Sequence, residues 1–183
     1  MKGQWTNIYS GDLALRSWWV DSVNDCKYVS ILLPEVFGIN NWIRSFSEKL
    51  AQQNVPVLAL PLYGRTAPNL DLEYSEEDLK LGRHHKNLTT LKNIIDDVSA
   101  AINWVKEKYP SKKISIIGFC FGGHAAFIAS SLKGIESSFC FYGAGIVSLR
   151  NDTNSAPIDL LEKVSGKLNF ICGSSDDLIP LRD

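Results

Sequence analysis

The chain has 183 residues, 45% of them hydrophobic and 21% charged, which is the size and composition of one globular domain with a single core. Its 19 basic and 20 acidic residues leave a net charge of −1, which argues against a nucleic-acid binder or a protein of the membrane surface. No apolar run approaches the ~20 residues that span a bilayer, and the N-terminus lacks the apolar region of a secretory signal, so we expect a cytoplasmic protein.

The four cysteines stand far apart in the sequence, at positions 26, 120, 140 and 172. They form no CxxC pair and have no histidine at the spacing of a zinc site, so we expect free thiols and no metal. Free thiols are the usual state in a reducing cytosol.

The first third of the sequence predicts a hairpin, a buried strand and a helix. Two alternating segments flank the turn signal Ser10-Gly11-Asp12, which is typical of a β-hairpin. YVSILLP (28–34) is a continuous apolar run, as in strands that are buried on both faces. NNWIRSFSEKLAQQ (40–53) predicts an amphipathic helix that begins at Asn40 or Asn41. The apolar face of this helix is expected to consist of Ile43, Phe46 and Leu50.

The middle of the sequence alternates between apolar and polar segments. VPVLALPL (55–62) predicts another buried strand. The polar segment 63–87, marked by proline and glycine, predicts a surface excursion with a short helix at 75–81. A long amphipathic helix is predicted over 88–109, and Pro110 ends it.

The last third predicts three strands and a helix. The strands are KISIIGF (113–119), SSFCFYG (137–143) and KLNFICG (167–173), and the helix is GGHAAFIASSLKG (122–134). Apolar strands that alternate with amphipathic helices favour a mostly parallel α/β sheet covered on both faces, and we expect residues 1–183 to form one such domain. Ligands of such sheets bind beyond the carboxyl ends of the strands. The residues at these ends are Glu35, 63–65, Cys120, Tyr142 and Asp176.

The segment Gly118-Phe119-Cys120-Phe121-Gly122 has the pattern of a nucleophile elbow, a sharp strand-to-helix turn with the reactive residue at its tip. Cys120 would lie at a helix N-terminus, where the helix dipole favours the thiolate. The backbone N–H of Phe121 would point toward a developing oxyanion. Taken alone, the pattern fits a small buried core cysteine equally well.

Five segments in their order along the chain extend this interpretation: LLPEVFGIN (32–40), LPLYGRTAP (60–68), GFCFGG (118–123), FCFYGAG (139–145) and CGSSDDLIP (172–180). With them the sequence resembles the dienelactone hydrolase family of α/β-hydrolases, in which a cysteine replaces the usual serine. The resemblance implies a three-layer α/β-hydrolase fold and hydrolysis of a small-molecule lactone or carboxylic ester, without metal or organic cofactor.

The resemblance also implies roles for individual residues. Cys120 is the expected nucleophile, and Asp176 rather than its neighbour Asp177 is the expected orienting acid. Glu35 is expected beside the resting cysteine. The backbone N–H groups of Val36 and Phe121 are expected to form the oxyanion hole.

Substrate-binding residues are less narrowly defined by the resemblance. Tyr142 follows a predicted strand at the carboxyl edge of the sheet. The polar excursion offers Arg83 or Arg65 for a substrate carboxylate. We expect Arg83 and Tyr142 to contact the substrate.

The histidine that completes a triad is missing from the expected place. In α/β-hydrolases the order is nucleophile, acid, histidine, yet no histidine follows Asp176. We therefore expect a chain that lacks its C-terminal strand and helix, with the histidine beyond residue 183. His124 follows Cys120 by one helical turn and is expected to be structural, as are His84 and His85. The alternative is a non-catalytic α/β-hydrolase-like module for binding or interaction.

Overall fold

The computed structural model describes residues 1–179. Its strands are β1 (Gln4–Ser10), β2 (Leu13–Val20), β3 (Tyr28–Leu33), β4 (Val57–Ala59), β5 (Lys113–Phe119), β6 (Ile135–Phe141) and β7 (Lys167–Ile171). Its helices are α1 (Asn41–Gln52), α2 (Glu76–Leu88), α3 (Leu91–Lys108) and α4 (Phe121–Ser130), with a 3₁₀ turn at Pro157–Lys163.

The strands of the described residues form one sheet in the order β1-β2-β4-β3-β5-β6-β7. Strand β2 is antiparallel to β1 and β4, and every other pairing is parallel. One apolar cluster, with α3 and α4, covers one face, and a second cluster, with α1, covers the other. The predicted three-layer sheet with an N-terminal hairpin is confirmed.

The register of the parallel strands brings the carboxyl ends of three strands together at one edge of the sheet. Leu33 of β3 pairs with Gly118 of β5, and Phe119 of β5 pairs with Phe141 of β6. Glu35, Cys120 and Tyr142 follow these strands within one or two residues. Of the residues expected at the carboxyl edge, Glu35, Cys120 and Tyr142 therefore lie along it.

Helix α1 begins where the sequence predicted, but its buried side is different. Asn40 is the N-cap, and its side chain accepts a hydrogen bond from the N–H of Ile43 over 3.1 Å. Its buried residues are Ile43, Ser47 and Ala51. Phe46 and Leu50 are only half-buried and pack against the apolar cluster on this face of the sheet.

Three elements differ from the prediction. Strand β4 is shorter than predicted because Pro56 and Pro61, which cannot donate to a neighbouring strand, flank it. Helix α2 continues past Leu81 to Leu88. Its Gly82 packs so closely on Val36 that a Cβ would overlap the Val36 carbonyl, so this glycine serves packing and does not end the helix. The 3₁₀ turn at Pro157–Lys163 was not predicted.

No helix within residues 1–179 combines the length and the apolar character needed to cross a membrane. The cytoplasmic location stays a prediction.

Candidate active site

Cys120 stands at a strained turn between β5 and α4. Its φ of 54° and ψ of −115° fall outside the regions that non-glycine residues ordinarily adopt. The chain holds it there from both sides: the N–H of Cys120 donates to the carbonyl of Phe141 over 3.0 Å, and its carbonyl accepts from the N–H of His124 over 3.1 Å. The turn has the form that the elbow pattern predicts.

The glycines around Cys120 are there because backbone approaches backbone. A Cβ on Gly118 would overlap the carbonyl of Gly122, and a Cβ on Gly122 would overlap the carbonyl of Leu33. Helix α4 can therefore start directly against the end of β3 only with glycine at these positions. This packing brings the loop after β3, with Glu35 and Val36, beside the elbow.

The thiol of Cys120 is partly buried, and this burial raises its pKa. A hydrogen bond from the backbone N–H of Phe121 opposes the shift, and the charge of Glu35 adds to it. The positive charges of Lys86 and Arg83 on α2 act to lower the pKa. The N–H at the helix N-terminus thus acts toward the thiolate, as expected, but desolvation outweighs this contribution and the net shift of the Cys120 pKa is upward.

Glu35 does not hydrogen-bond the cysteine; two phenols hold it instead. Tyr74 donates to its Oε2 over 3.0 Å, and Tyr142 donates to its Oε1 over 3.3 Å. Tyr142 has a φ of 39°, again an unusual conformation for a bulky side chain. The predicted neighbourhood of Glu35, Tyr142 and Cys120 is present, and Tyr74 is the member that the sequence did not reveal.

His124 has a structural role, as expected. It is 7% exposed, its Nδ1 donates to the carbonyl of Ala144 over 2.9 Å, and its Nε2 accepts from Arg150 over 2.8 Å. Burial first, and then the neighbouring Arg150 cation, lower its pKa to about 4. With both ring nitrogens engaged, His124 is not arranged to take a proton from Cys120.

The two candidate arginines have different surroundings. Arg65 pairs with the buried carboxylate of Asp97, and its Nη2 donates to Ser10 Oγ over 3.5 Å. Arg65 therefore links the N-terminal hairpin to α3, and these contacts argue against its alternative role in substrate binding. Arg83 is exposed on α2, next to the glycine that packs on Val36, and has no carboxylate partner within residues 1–179.

Asp176 lies in the turn after β7 and is half-buried. Its Oδ1 accepts from the N–H of Leu178 over 2.9 Å, and its own N–H donates to the carbonyl of Gly173 over 3.3 Å. Neither Asp176 nor its neighbour Asp177 contacts a histidine within the described residues. The roles of Asp176 and of the Val36 and Phe121 N–H groups stay predictions. No cluster of His, Cys, Asp or Glu suited to a metal is present in residues 1–179.

The sheet order, the glycine-lined elbow and the strained Cys120 at its tip define the α/β-hydrolase class. Solved structures agree on the fold. A structure from Klebsiella pneumoniae subsp. pneumoniae superimposes with a TM-score of 0.81 at 19% identity, over 98% of this chain and 75% of the other. An esterase from Pyrococcus furiosus gives a TM-score of 0.67 at 19% identity, over 99% of this chain and 73% of the other.

The sequence profile of the dienelactone hydrolase family matches residues 18–183, and the chain belongs to that family. A relative from Synechocystis sp. is 32% identical over 157 residues, which cover 85% of this chain and 64% of the relative. Carboxymethylenebutenolidase from Pseudomonas putida is 25% identical over 158 residues, 82% of this chain and 65% of the enzyme. The chain thus spans a little under two thirds of the length of these relatives.

Proposed function

We propose that residues 1–183 form one α/β-hydrolase domain that cleaves a lactone or small carboxylic ester through an acyl-cysteine intermediate. The observation that carries this proposal is the strained backbone of Cys120 at the carboxyl edge of the sheet. Membership of the dienelactone hydrolase family and the name of the Pseudomonas putida relative support the substrate class.

In the first step, the Cys120 thiolate bonds to the ester carbonyl carbon, and the carbonyl oxygen becomes an oxyanion. The N–H groups of Val36 and Phe121 hold this oxyanion while the ester C–O bond breaks. The departing alkoxide takes up the proton that the Cys120 thiol released and leaves as the alcohol. For a lactone the alcohol stays attached to the acyl chain. Arg83, the exposed cation beside this loop, binds a carboxylate of the substrate, and Tyr142 lines the site.

In the second step, water attacks the thioester carbon, the carbon–sulfur bond breaks, and the carboxylic acid leaves. The base for this water is, in the sequence-based hypothesis, a histidine beyond residue 183 that Asp176 orients. His124 is excluded from that role by its two hydrogen bonds.

The first step can be tested without the second. The protein is mixed with p-nitrophenyl acetate, and the acetyl adduct is located by mass spectrometry of its peptides. We expect stoichiometric acetylation at Cys120 and none at that peptide in Cys120→Ala. Cys172→Ala removes an exposed thiol that is not part of the elbow turn and serves as the matched control, with Cys120 still acetylated. Absence of the Cys120 adduct would leave the alternative, a non-catalytic binding or interaction module.

A further inference from the structure

The carboxylate of Glu35 is held between two tyrosines that come from different parts of the chain. Tyr74 precedes α2 and bonds one carboxylate oxygen over 3.0 Å, and Tyr142 follows β6 and bonds the other over 3.3 Å. Hydrogen bonds to an ionised carboxylate are stronger than those between neutral groups. Both oxygens are thus engaged on the side of the phenols, and neither bonds to the thiol of Cys120.

The segment that carries Tyr74 is docked on the loop that carries Glu35. The N–H of Leu72 donates to the carbonyl of Phe37 over 3.0 Å, and Asp71 forms a β-bridge with Gly38. The ring of Tyr74 packs edge-on against Phe37, with 4.6 Å between ring centroids. Tyr74 is nevertheless 56% exposed, so its hydroxyl can be removed without opening a cavity in the core.

Tyr142 is the less exposed of the two tyrosines and is half-buried. Its N–H donates to the carbonyl of Ile171 over 2.8 Å, and its φ of 39° is strained for a tyrosine. Strain of this kind persists only where the surrounding structure enforces it, and it is concentrated at functional sites. The backbone of Tyr142 is therefore fixed, whereas Tyr74 is the exposed partner.

Several charged and titratable groups face Cys120. Glu35 follows β3, Tyr63 follows β4, Arg83 and Lys86 lie on α2, and Tyr142 follows β6. Tyr74 itself lies near Glu35, Glu73 and Asn40. The first of these groups, Glu35, is the negative charge that acts against the thiolate, because like charges repel.

We propose that Tyr74 is a positioning residue for the Cys120 site. Together with Tyr142 it holds the Glu35 carboxylate turned away from the thiol, and it thereby sets how strongly the negative charge of Glu35 acts on the nucleophile. The inference rests on the proposed function of Cys120 and deepens it. It adds a residue outside the elbow, the oxyanion loop and the acid.

The direction of the effect follows from the geometry. Without the Tyr74 hydroxyl, less of the Glu35 charge is neutralised by hydrogen bonds, and the carboxylate can turn to accept the S–H of Cys120. Both changes favour the protonated thiol, so the Cys120 pKa rises in Tyr74→Phe. Glu35→Gln removes the charge altogether and lowers the Cys120 pKa.

The experiment measures the alkylation rate of Cys120 by iodoacetamide against pH, with mass spectrometry separating its peptide from those of the other cysteines. In Tyr74→Phe we expect the midpoint of the profile to rise by about half a pH unit, which is roughly threefold slower alkylation on the acidic limb. In Glu35→Gln we expect it to fall by about one unit. The double variant should match Glu35→Gln alone, because Tyr74 acts only through that carboxylate.

Tyr9→Phe is the matched control: Tyr9 is 65% exposed on β1, away from the elbow, and its change should leave the profile unmoved. A Tyr74→Phe profile equal to that of the wild type overturns the inference. So does a midpoint shift from Tyr74→Phe that is equally large in the wild type and in Glu35→Gln. These outcomes are independent of ester cleavage. A Cys120→Ala protein that still forms the acyl adduct would refute the proposed function, whatever the alkylation profiles show.

Discussion

The guanidinium of Arg150 donates a hydrogen bond to Nε2 of His124 over 2.8 Å, which fixes the imidazole as a neutral acceptor. The same guanidinium donates to the carbonyl of Thr89 over 2.8 Å and pairs with Asp152 over 2.8 Å. Arg150 thereby joins the elbow helix to the junction between α2 and α3. A protonated His124 would place two cations in contact inside the protein, so the arrangement depends on the histidine staying neutral.

The first prediction concerns pH and stability. The pKa of His124 is lowered to about 4, below its unfolded value of about 6.5, so the unfolded chain binds the extra proton between these values. Its contribution to stability is complete above pH 6.5 and is lost as the pH falls toward 4. We expect this residue alone to cost up to about 3 kcal/mol of unfolding free energy across that window.

The measurement is urea unfolding at several pH values, for the wild type and for His124→Gln. Glutamine cannot be protonated in this range, so the unfolding free energy of His124→Gln should vary less between pH 6.5 and 4 than that of the wild type. Parallel curves for the two proteins would show that His124 does not titrate with a lowered pKa.

The second prediction concerns the elbow glycines. In Gly122→Ala the new methyl group would overlap the carbonyl of Leu33, and neither backbone can retreat without moving a strand or a helix. We expect a loss of roughly 1–3 kcal/mol or more in unfolding free energy. Gly173→Ala is the control, because a Cβ there meets no atom within 4 Å, and its stability should stay near that of the wild type. Equal thermal midpoints for both variants would contradict the close packing.

The third prediction separates a buried ion pair from an exposed one. Asp97 is 2% exposed and one of its oxygens has no hydrogen-bond partner within the described residues, so it depends on Arg65. Arg65→Met should lower the unfolding free energy by roughly 2 kcal/mol or more. The loss is smaller than for a fully buried ion pair because Arg65 is partly exposed. Lys92→Met breaks the exposed pair with Asp96 and should cost under about 0.5 kcal/mol. Similar urea midpoints for the two variants would refute the difference.

The fourth prediction concerns substrate charge. If Arg83 binds a substrate carboxylate, Arg83→Gln should raise the half-saturating concentration for acylation of Cys120 about tenfold for an ester with a free carboxylate, and it should leave that concentration unchanged for the neutral ethyl diester. Lys80→Gln removes another exposed cation of α2 and is the matched control. The comparison requires the rate of Cys120 acylation over a range of concentrations of both substrates. Loss of affinity for both would indicate a change of the loop rather than a lost ion pair.

Much of the fold was predictable because each buried strand is a continuous apolar run. β3 and β5 were placed within one residue, and the N-cap of α1 was among the two asparagines expected. The extent of α2 was not predictable, because a glycine such as Gly82 indicates a helix break when its neighbours in space are unknown. In the structure Gly82 instead permits close contact with the carbonyl of Val36. Local pattern defines periodicity, whereas contacts between distant segments decide where an element ends.

The site was likewise predictable where its pattern is local and not where it depends on contacts between distant segments. The elbow pattern is local, and its geometry followed from its own glycines. The hydrogen bond from Tyr74 to Glu35 joins residues 39 positions apart, and the one from Arg150 to Thr89 joins residues 61 apart. Neither partner carries a local signal, since an exposed tyrosine in a polar segment and an arginine in a loop are both ordinary.

The long separations in the Arg150 network have a consequence for the order of folding. The strained turn at Cys120 is held by Phe141 and by His124, and His124 is held by Arg150. Loops of this length close only after nearer contacts have formed, because their closure entropy must be overcome first. We therefore expect the cysteine to reach its reactive conformation late, after β6 and the loop that follows have docked. Thiol reactivity then reports a completed fold, which helix content measured during refolding does not.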